Sequence, residues 1–294
     1  ALNLYRQLDG TQHQQGNCLR GIGLSLHGMK RYEEACSAFH DALNLYRQLD
    51  GTQHQQASCM LKTGHALRNS ERYEEAINAY QQAVDLCRQL DGTQQEQADT
   101  LHYSIGLTLN RIRRFEGAIS AYRQALDLYR RLDGTQRDQA HCLYNTGAVL
   151  RDAKQYEDAI TAFQQAQDHY QHLDGSTQDQ ADCARSIGNT LRDLGRRQEA
   201  VTAYREALAI FRQEDGTEKD QANILNYRIG LTLADMWQYD EALTAYRQAQ
   251  DLYSRATGAQ RQHADCLYNT GITLRDLGRY QEAITAYQQA LELF

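Results

Sequence analysis

The chain has 294 residues, 41% hydrophobic and 23% charged, so it can bury a sizeable core and remain soluble. Its net charge of −7 and pI of about 5.8 disfavour general binding to nucleic acid or to an anionic membrane. It contains no proline, so helix can follow helix without a forced break.

Two ladders of glycines mark an internal repeat. The first ladder comprises Gly10, Gly51, Gly92, Gly134, Gly175, Gly216 and Gly258, and the second comprises Gly23, Gly64, Gly106, Gly147, Gly188, Gly230 and Gly271. Neighbouring members of a ladder are 41 or 42 residues apart. This spacing predicts one domain, residues 1–294, that spans seven repeat lengths.

Each repeat is predicted to contain two helices, A and B. In the last copy, helix A covers Gln262 to Leu277, Gly278 marks a turn, and helix B begins at Tyr280. Helix B ends at Asp-Gly in complete copies, because glycine suits the left-handed position just past a helix end. The following Thr11, Thr52, Thr93 and Thr135, each with Gln, Glu or Asp three residues on, predict capping boxes for helix A.

Helix B carries an alanine–aromatic–alanine pattern that recurs through the whole chain. Its members in the second copy are Ala76, Tyr80 and Ala83, following the aromatic Tyr73. Together with glycine at the eighth place of each copy, this pattern resembles the tetratricopeptide repeat. The resemblance implies an all-α, right-handed superhelical solenoid of antiparallel helix pairs.

The chain also departs from the usual family pattern. The family's unit is about 34 residues long, and its large aromatic at the eleventh place is replaced here by leucines such as Leu67. The longer helices are similar to those of kinesin light chains and related bacterial arrays. By period alone a HEAT or armadillo solenoid is an alternative, but the alanine–aromatic–alanine spacing favours the tetratricopeptide repeat.

The 42-residue copies are the third and the sixth, and their extra residue precedes Gly106 and Gly230. This three-repeat superperiod suggests duplication of a block of three repeats. The sequence starts at Ala1 and ends at Phe294, both inside helix B. We therefore expect a slice of a longer array, whose open ends could mediate self-association.

No catalytic, nucleotide-binding or metal-binding motif occurs, so we expect no enzyme activity, no cofactor and no metal. Five of the seven cysteines recur at one repeat position, as small buried residues would, and indicate a reducing, cytoplasmic location. There is no signal-peptide pattern and no apolar run long enough to cross a membrane.

In tetratricopeptide proteins helix A lines the concave face. The residues at its inward-looking places form the predicted ligand stripe. The stripe consists of Arg20, Lys62, Arg68, Tyr103, Tyr144, Asn145, Arg151, Arg185, Asn189, Arg192, Tyr227, Arg228, Tyr268, Asn269 and Arg275. Tyrosine and arginine are common binding hot spots, and asparagine can pair with both groups of a peptide backbone.

This stripe predicts a scaffold that binds a peptide or helical segment of a protein partner, with no nucleic acid or membrane partner. Three alternatives remain at this stage. Arginine and aspartate could pair across neighbouring repeats as a solvated face, the array could be a spacer or a self-assembling rod, or it could bind RNA. The acidic balance disfavours RNA.

Overall fold

A computed structural model describes residues 11–213 and 217–293. Throughout these ranges the chain is helical with short turns and no strand. Gly10 and Gly216 of the first ladder, and the chain ends at Ala1 and Phe294, lie outside the described residues. The described chain divides into two compact units, before and after the Val149–Leu150 bond. A single array of seven repeat lengths therefore stays a prediction.

The helices of the first unit follow one another along the chain. They are α1 (Gln12–Gly28), α2 (Tyr32–Tyr46), α3 (Gln53–Asn69), α4 (Tyr73–Cys87), α5 (Gln94–Asp99), the π-helix π1 (Thr100–Gly106), α6 (Leu107–Arg111), α7 (Phe115–Tyr129) and most of α8 (Gln136–Asp152). Within this unit α1 packs on α2, α2 on α3, α3 on α4, and π1 on both α4 and α7.

The second unit has the same organisation. It contains α9 (Tyr156–Gln171), α10 (Thr177–Asp193), α11 (Arg197–Phe211), α12 (Glu218–Asn223), the π-helix π2 (Ile224–Gly230), α13 (Leu231–Asp235), α14 (Tyr239–Arg255), α15 (Gln260–Asp276) and α16 (Tyr280–Leu293). Consecutive helices again pack together, from α9 on α10 to α15 on α16. The all-α architecture of stacked helix pairs is thus confirmed.

The core is built from the alanine–aromatic–alanine pattern of helix B. Ala200 and Ala207 of α11 are fully buried, as is the ring of Tyr204 between them. That ring lies against Gly188 of α10, where an added Cβ would stand 2.5 Å from Tyr204 Cε1. The glycine at the eighth place is therefore required because the aromatic of helix B occupies the space where a side chain would start.

The extra residue of the 42-residue copies is absorbed as a π-helical turn. The two π-helices end at Gly106 and Gly230, the two glycines that the extra residue precedes. An inserted residue in a helix is accommodated by an i→i+5 bulge, and such bulges are frequent at functional sites. The superperiod seen in the sequence thus has a direct structural counterpart.

Both kinds of turn use the left-handed backbone region. Gly51 and Gly175 adopt φ of 72° and 65° after helix B, as predicted. At the turn between helices A and B, Gly278 has φ 79°, which confirms the turn expected there. Glu71 and Trp237 occupy the same turn in other repeats with φ of 62° in each, although neither residue favours this region.

The capping-box prediction is wrong. The hydroxyl of Thr52 caps no N–H group of α3. It donates instead to the carbonyl oxygens of Tyr46 at 2.5 Å and Leu49 at 2.9 Å. Gln56 Nε2 donates to the Thr52 hydroxyl at 3.2 Å. The buried Thr52 hydroxyl therefore hydrogen-bonds carbonyl oxygens that have no i+4 N–H partner at the end of the preceding helix B. Its side-chain partner, Gln56, lies four residues on, rather than the three residues of a capping box.

Candidate ligand-binding site

The predicted stripe of the first unit lies on α1, α3, π1 and α8. Arg68 Nη1 donates to the carbonyl of Tyr103 at 3.3 Å, which joins the second and third repeats. The Tyr103 side chain is 37% exposed, and its ring stacks on His102 with centroids 4.0 Å apart. Arg20, Lys62 and Tyr144 are half-buried. Tyr103 is thus the most accessible aromatic of the stripe in this unit.

Asn145 points into the repeat interface. Its Nδ2 lies 2.8 Å from Nε2 of His102, a residue with no exposed surface. Sequence reasoning missed His102. It lies four residues before Gly106, and the equivalent residue of the fourth repeat is Leu143, four residues before Gly147. His102 could have been identified from the sequence as a polar residue at a core position of a repeat that contains an inserted residue.

The second unit contains a cavity of about 880 Å³. Its lining comes from three consecutive A helices and from Phe211 of helix B α11, and it includes Arg185, Arg192, Tyr227 and Arg228 of the predicted stripe. Cavities of this size suit a ligand or a short peptide segment. The structure therefore brings these four stripe residues together around one space.

Two aspartates of this cavity accept hydrogen bonds from neighbouring side chains of the lining. Asp182 Oδ1 accepts from Arg185 Nη2 at 2.5 Å. The Tyr227 hydroxyl donates to Asp265 Oδ2 at 3.0 Å. Burial and this hydrogen bond to a carboxylate raise the pKa of Tyr227 to about 12, so the phenol stays protonated and its hydrogen is donated to Asp265.

Arg228 is half-buried in this lining. Its pKa is lowered mainly by burial; Tyr204 acts in the opposite direction, and the positive charges of Arg192, Arg185 and Arg151 each lower the pKa by smaller amounts. Within residues 11–213 and 217–293, neither Arg228 nor Arg192 forms an ion pair. This part of the lining therefore carries an excess of positive charge.

The remaining stripe residues of this unit lie outside the cavity lining. Asn189 Oδ1 accepts from the Tyr204 hydroxyl at 2.9 Å, and Asn269 Nδ2 donates to Asn226 Oδ1 at 3.1 Å. Tyr268 is 52% exposed. Arg275 pairs with its own neighbour Asp276 at 2.8 Å.

Arginine–aspartate pairing does not link the repeats at these places. Arg151 lies 3.8 Å from Asp152 of the same helix, as Arg275 lies beside Asp276. Inter-repeat ion pairs form instead at the start of helix B, where Arg72 reaches Glu33 at 2.8 Å and Arg196 reaches Glu157 at 3.0 Å. The acidic first turns of helix B are therefore engaged by arginine as well as by the helix dipole.

Other kinds of site were also sought. Within the described ranges no group of three or more histidine, cysteine or acidic side chains could hold a metal ion. All seven cysteines are unpaired, and Cys59, Cys142, Cys183 and Cys266 are buried. No helix in the described part of the chain is both long enough and apolar enough to span a membrane.

Stacked helix pairs with glycine, alanine and aromatic residues at fixed places define a helical-repeat protein. The sequence matches the tetratricopeptide repeat family over residues 17–89, 96–172, 139–213 and 220–294. The chain belongs to this family.

Solved structures share the fold at low sequence identity. The apo form of RapI is 14% identical with a TM-score of 0.67, over 95% of this chain and 76% of that one. BtubC (BKLC) from P. vanneervenii is 18% identical with a TM-score of 0.59, over 75% of this chain and 90% of that one. Aspartyl phosphate phosphatase F from Bacillus subtilis is 14% identical with a TM-score of 0.59, over 99% and 73%. No curated protein matches the chain.

Proposed function

We propose that this chain is a protein-interaction scaffold that binds a peptide or helical segment of a partner protein. The segment lies against the A helices, and in the second unit it occupies the cavity lined by Arg185, Arg192, Tyr227 and Arg228. The proposal includes a reducing, cytoplasmic location, which the seven unpaired cysteines support. It includes neither catalysis nor a nucleic-acid partner.

The observation that carries the proposal is the cavity itself. The space is a solvent-open groove of about 880 Å³ that lies beside charged and aromatic side chains of neighbouring A helices. Leu231 and Ile224 supply apolar surface in the same lining. Most of the remaining lining is polar or charged, which suits a peptide segment whose side chains carry charges or hydrogen-bonding groups.

The test is selection of binding peptides from a random twelve-residue library displayed on phage. Peptides enriched on the native chain are synthesised, and their affinities are measured by fluorescence polarisation. The double variant Arg192→Ala, Tyr227→Ala should bind them at least about tenfold more weakly, because it removes an arginine without an ion-pair partner and an aromatic surface from the lining.

A matched control uses two exposed glutamines of helix B. The variant Gln164→Ala, Gln165→Ala lies on α9, outside the cavity lining, and should bind the selected peptides as the native chain does. If no peptide is enriched, or if both double variants retain full affinity, the cavity is not the binding site.

A further inference from the structure

Four arginines of the second unit surround one region, and they carry a further inference that rests on the proposed function. Arg185 and Arg192 lie seven residues apart on α10, which places them on one face of that helix two turns apart. Arg228 on π2 lines the same cavity. Arg151 is near enough to act electrostatically on Arg228.

The negative charges nearby do not balance this group. Arg185 is bound to Asp182, and Arg151 lies 3.8 Å from Asp152. Asp265 already accepts from Tyr227. Asp220 precedes Arg228 by eight residues, about 12 Å along the helix. Among the described residues, the half-buried Arg192 and Arg228 therefore have no carboxylate within ion-pair distance, and neither has the exposed Arg261 of the same lining.

Unpaired charges of this kind are costly when they are partly removed from water. Arg192 and Arg228 are both half-buried. The Nε–H of Arg185, which lines the same cavity, is also buried and has no acceptor in the described structure. The site thus offers two half-buried guanidinium groups without an ion-pair partner and one unused donor, and it has room beside them.

We propose that this site binds a phosphorylated serine or threonine side chain of the partner segment. A phosphate monoester carries a charge of about −1.5 to −2 at pH 7 and three acceptor oxygens, whereas a glutamate carries one charge and two oxygens. Its second charge and third oxygen let a phosphate monoester pair with Arg192 and Arg228 together, whereas a carboxylate has one charge for the two. Arginine suits phosphate because its planar guanidinium can donate two parallel hydrogen bonds.

The probes are three pools of fluorescein-labelled, end-blocked nonapeptides with random flanking positions. Their central residue is phosphoserine, serine or glutamate. We expect the phosphoserine pool to bind the native chain at least about tenfold more tightly than either other pool. Arg228→Gln and Arg192→Gln should each remove most of this difference, while circular dichroism confirms that both variants remain helical.

The control variant is Arg255→Gln, an exposed arginine of α14 that is paired with Asp251 and lies outside both the stripe and the cavity lining. It should retain the phosphoserine preference. Inorganic phosphate serves as a competitor and should displace the phosphopeptides only at much higher concentration than unlabelled phosphopeptide does.

Several outcomes would overturn the inference. Equal binding of the phosphoserine and glutamate pools would assign the arginines to a carboxylate, and tight binding of inorganic phosphate alone would assign them to a free anion. Retention of the preference in Arg228→Gln would place the phosphate elsewhere. If the library selection yields cavity-dependent peptides and the phosphate preference is absent, the phosphate inference fails and the scaffold function stands. If cavity-dependent peptides are also absent, both fail.

Discussion

Nδ2 of Asn145 lies 2.8 Å from Nε2 of His102, and this contact joins the third repeat to the fourth. The same contact recurs three repeats later as Asn269 to Asn226 at 3.1 Å. In both places the buried partner lies in a π-helix. The inserted residue of the 42-residue repeats is thus coupled to a polar bond at the repeat interface.

Burial of His102 should make stability depend on pH. Desolvation, with a smaller contribution from the charge of His141, lowers the pKa of His102 to about 4, below its ordinary value of 6.5. At pH values between these two pKa values, the unfolded chain binds more protons at His102 than the folded chain does. The stability is therefore fully present above pH 6.5 and is lost as pH falls towards 4, at up to about 1.4 kcal/mol per pH unit.

The variant His102→Asn isolates this effect. Asparagine is the residue that the sixth repeat has at the equivalent place, where Asn226 accepts a hydrogen bond from Asn269. The variant should keep a bond to Asn145, and its urea-unfolding free energy should fall less between pH 6.5 and 5 than that of the native chain. Identical slopes for the two chains would show that His102 does not titrate in this window.

Removal of the Asn145 side chain should lower stability. Asn145→Ala leaves the buried Nε2 of His102 without its partner, which costs about 1–3 kcal/mol. Thermal unfolding measures this loss, with the exposed Gln164→Ala as the control that should change stability by less than about 0.5 kcal/mol. An unchanged melting temperature for Asn145→Ala would leave the amide free for a ligand, as its place in the stripe predicts.

The sequence could predict the fold because the fold depends on repeated local signals. The glycine at the eighth place and the aromatic of helix B are both visible in every copy, and Gly188 with Tyr204 shows why they occur together. The sequence also showed that the third and sixth repeats have one extra residue. It did not predict the π-helices, because a turn, a bulge and a longer helix can each accommodate one extra residue.

The site could be predicted only in part. The helical spacing of the places that look inward in tetratricopeptide proteins put Arg185, Arg192, Tyr227 and Arg228 on one stripe, and these four residues line one cavity. The same spacing could not separate Asn189, whose oxygen accepts from Tyr204, from residues that remain open to a ligand. Which group a side chain hydrogen-bonds depends on how the helices pack together, and a periodic pattern does not specify that packing. The capping-box prediction was wrong for the same reason, because the acceptors of the threonine hydroxyl belong to the preceding helix.

The contact between Gly188 and Tyr204 predicts a specific intolerance. Gly188→Ala would place a Cβ 2.5 Å from Tyr204 Cε1 and force the buried ring to move. Overpacking of this kind costs about 1–3 kcal/mol, which chemical denaturation with urea can measure. Tyr204→Leu combined with Gly188→Ala should recover part of the loss. If Gly188→Ala alone is neutral, the close approach of ring and helix does not limit this position.

The turn between helices A and B offers a stabilising change. Glu71 is exposed and adopts φ of 62°, a conformation that costs a non-glycine residue about 1–2 kcal/mol. Glycine occupies the equivalent turn at Gly195 and Gly278, with φ of 86° and 79°. Glu71→Gly relieves this strain but adds freedom to the unfolded chain, so a net gain of about 0.5–1 kcal/mol is expected. The reverse variant, Gly195→Glu, should lose a similar amount. Differential scanning calorimetry measures the melting temperatures of both variants. If the two melting temperatures shift in the same direction, strain in the left-handed backbone is not the cause.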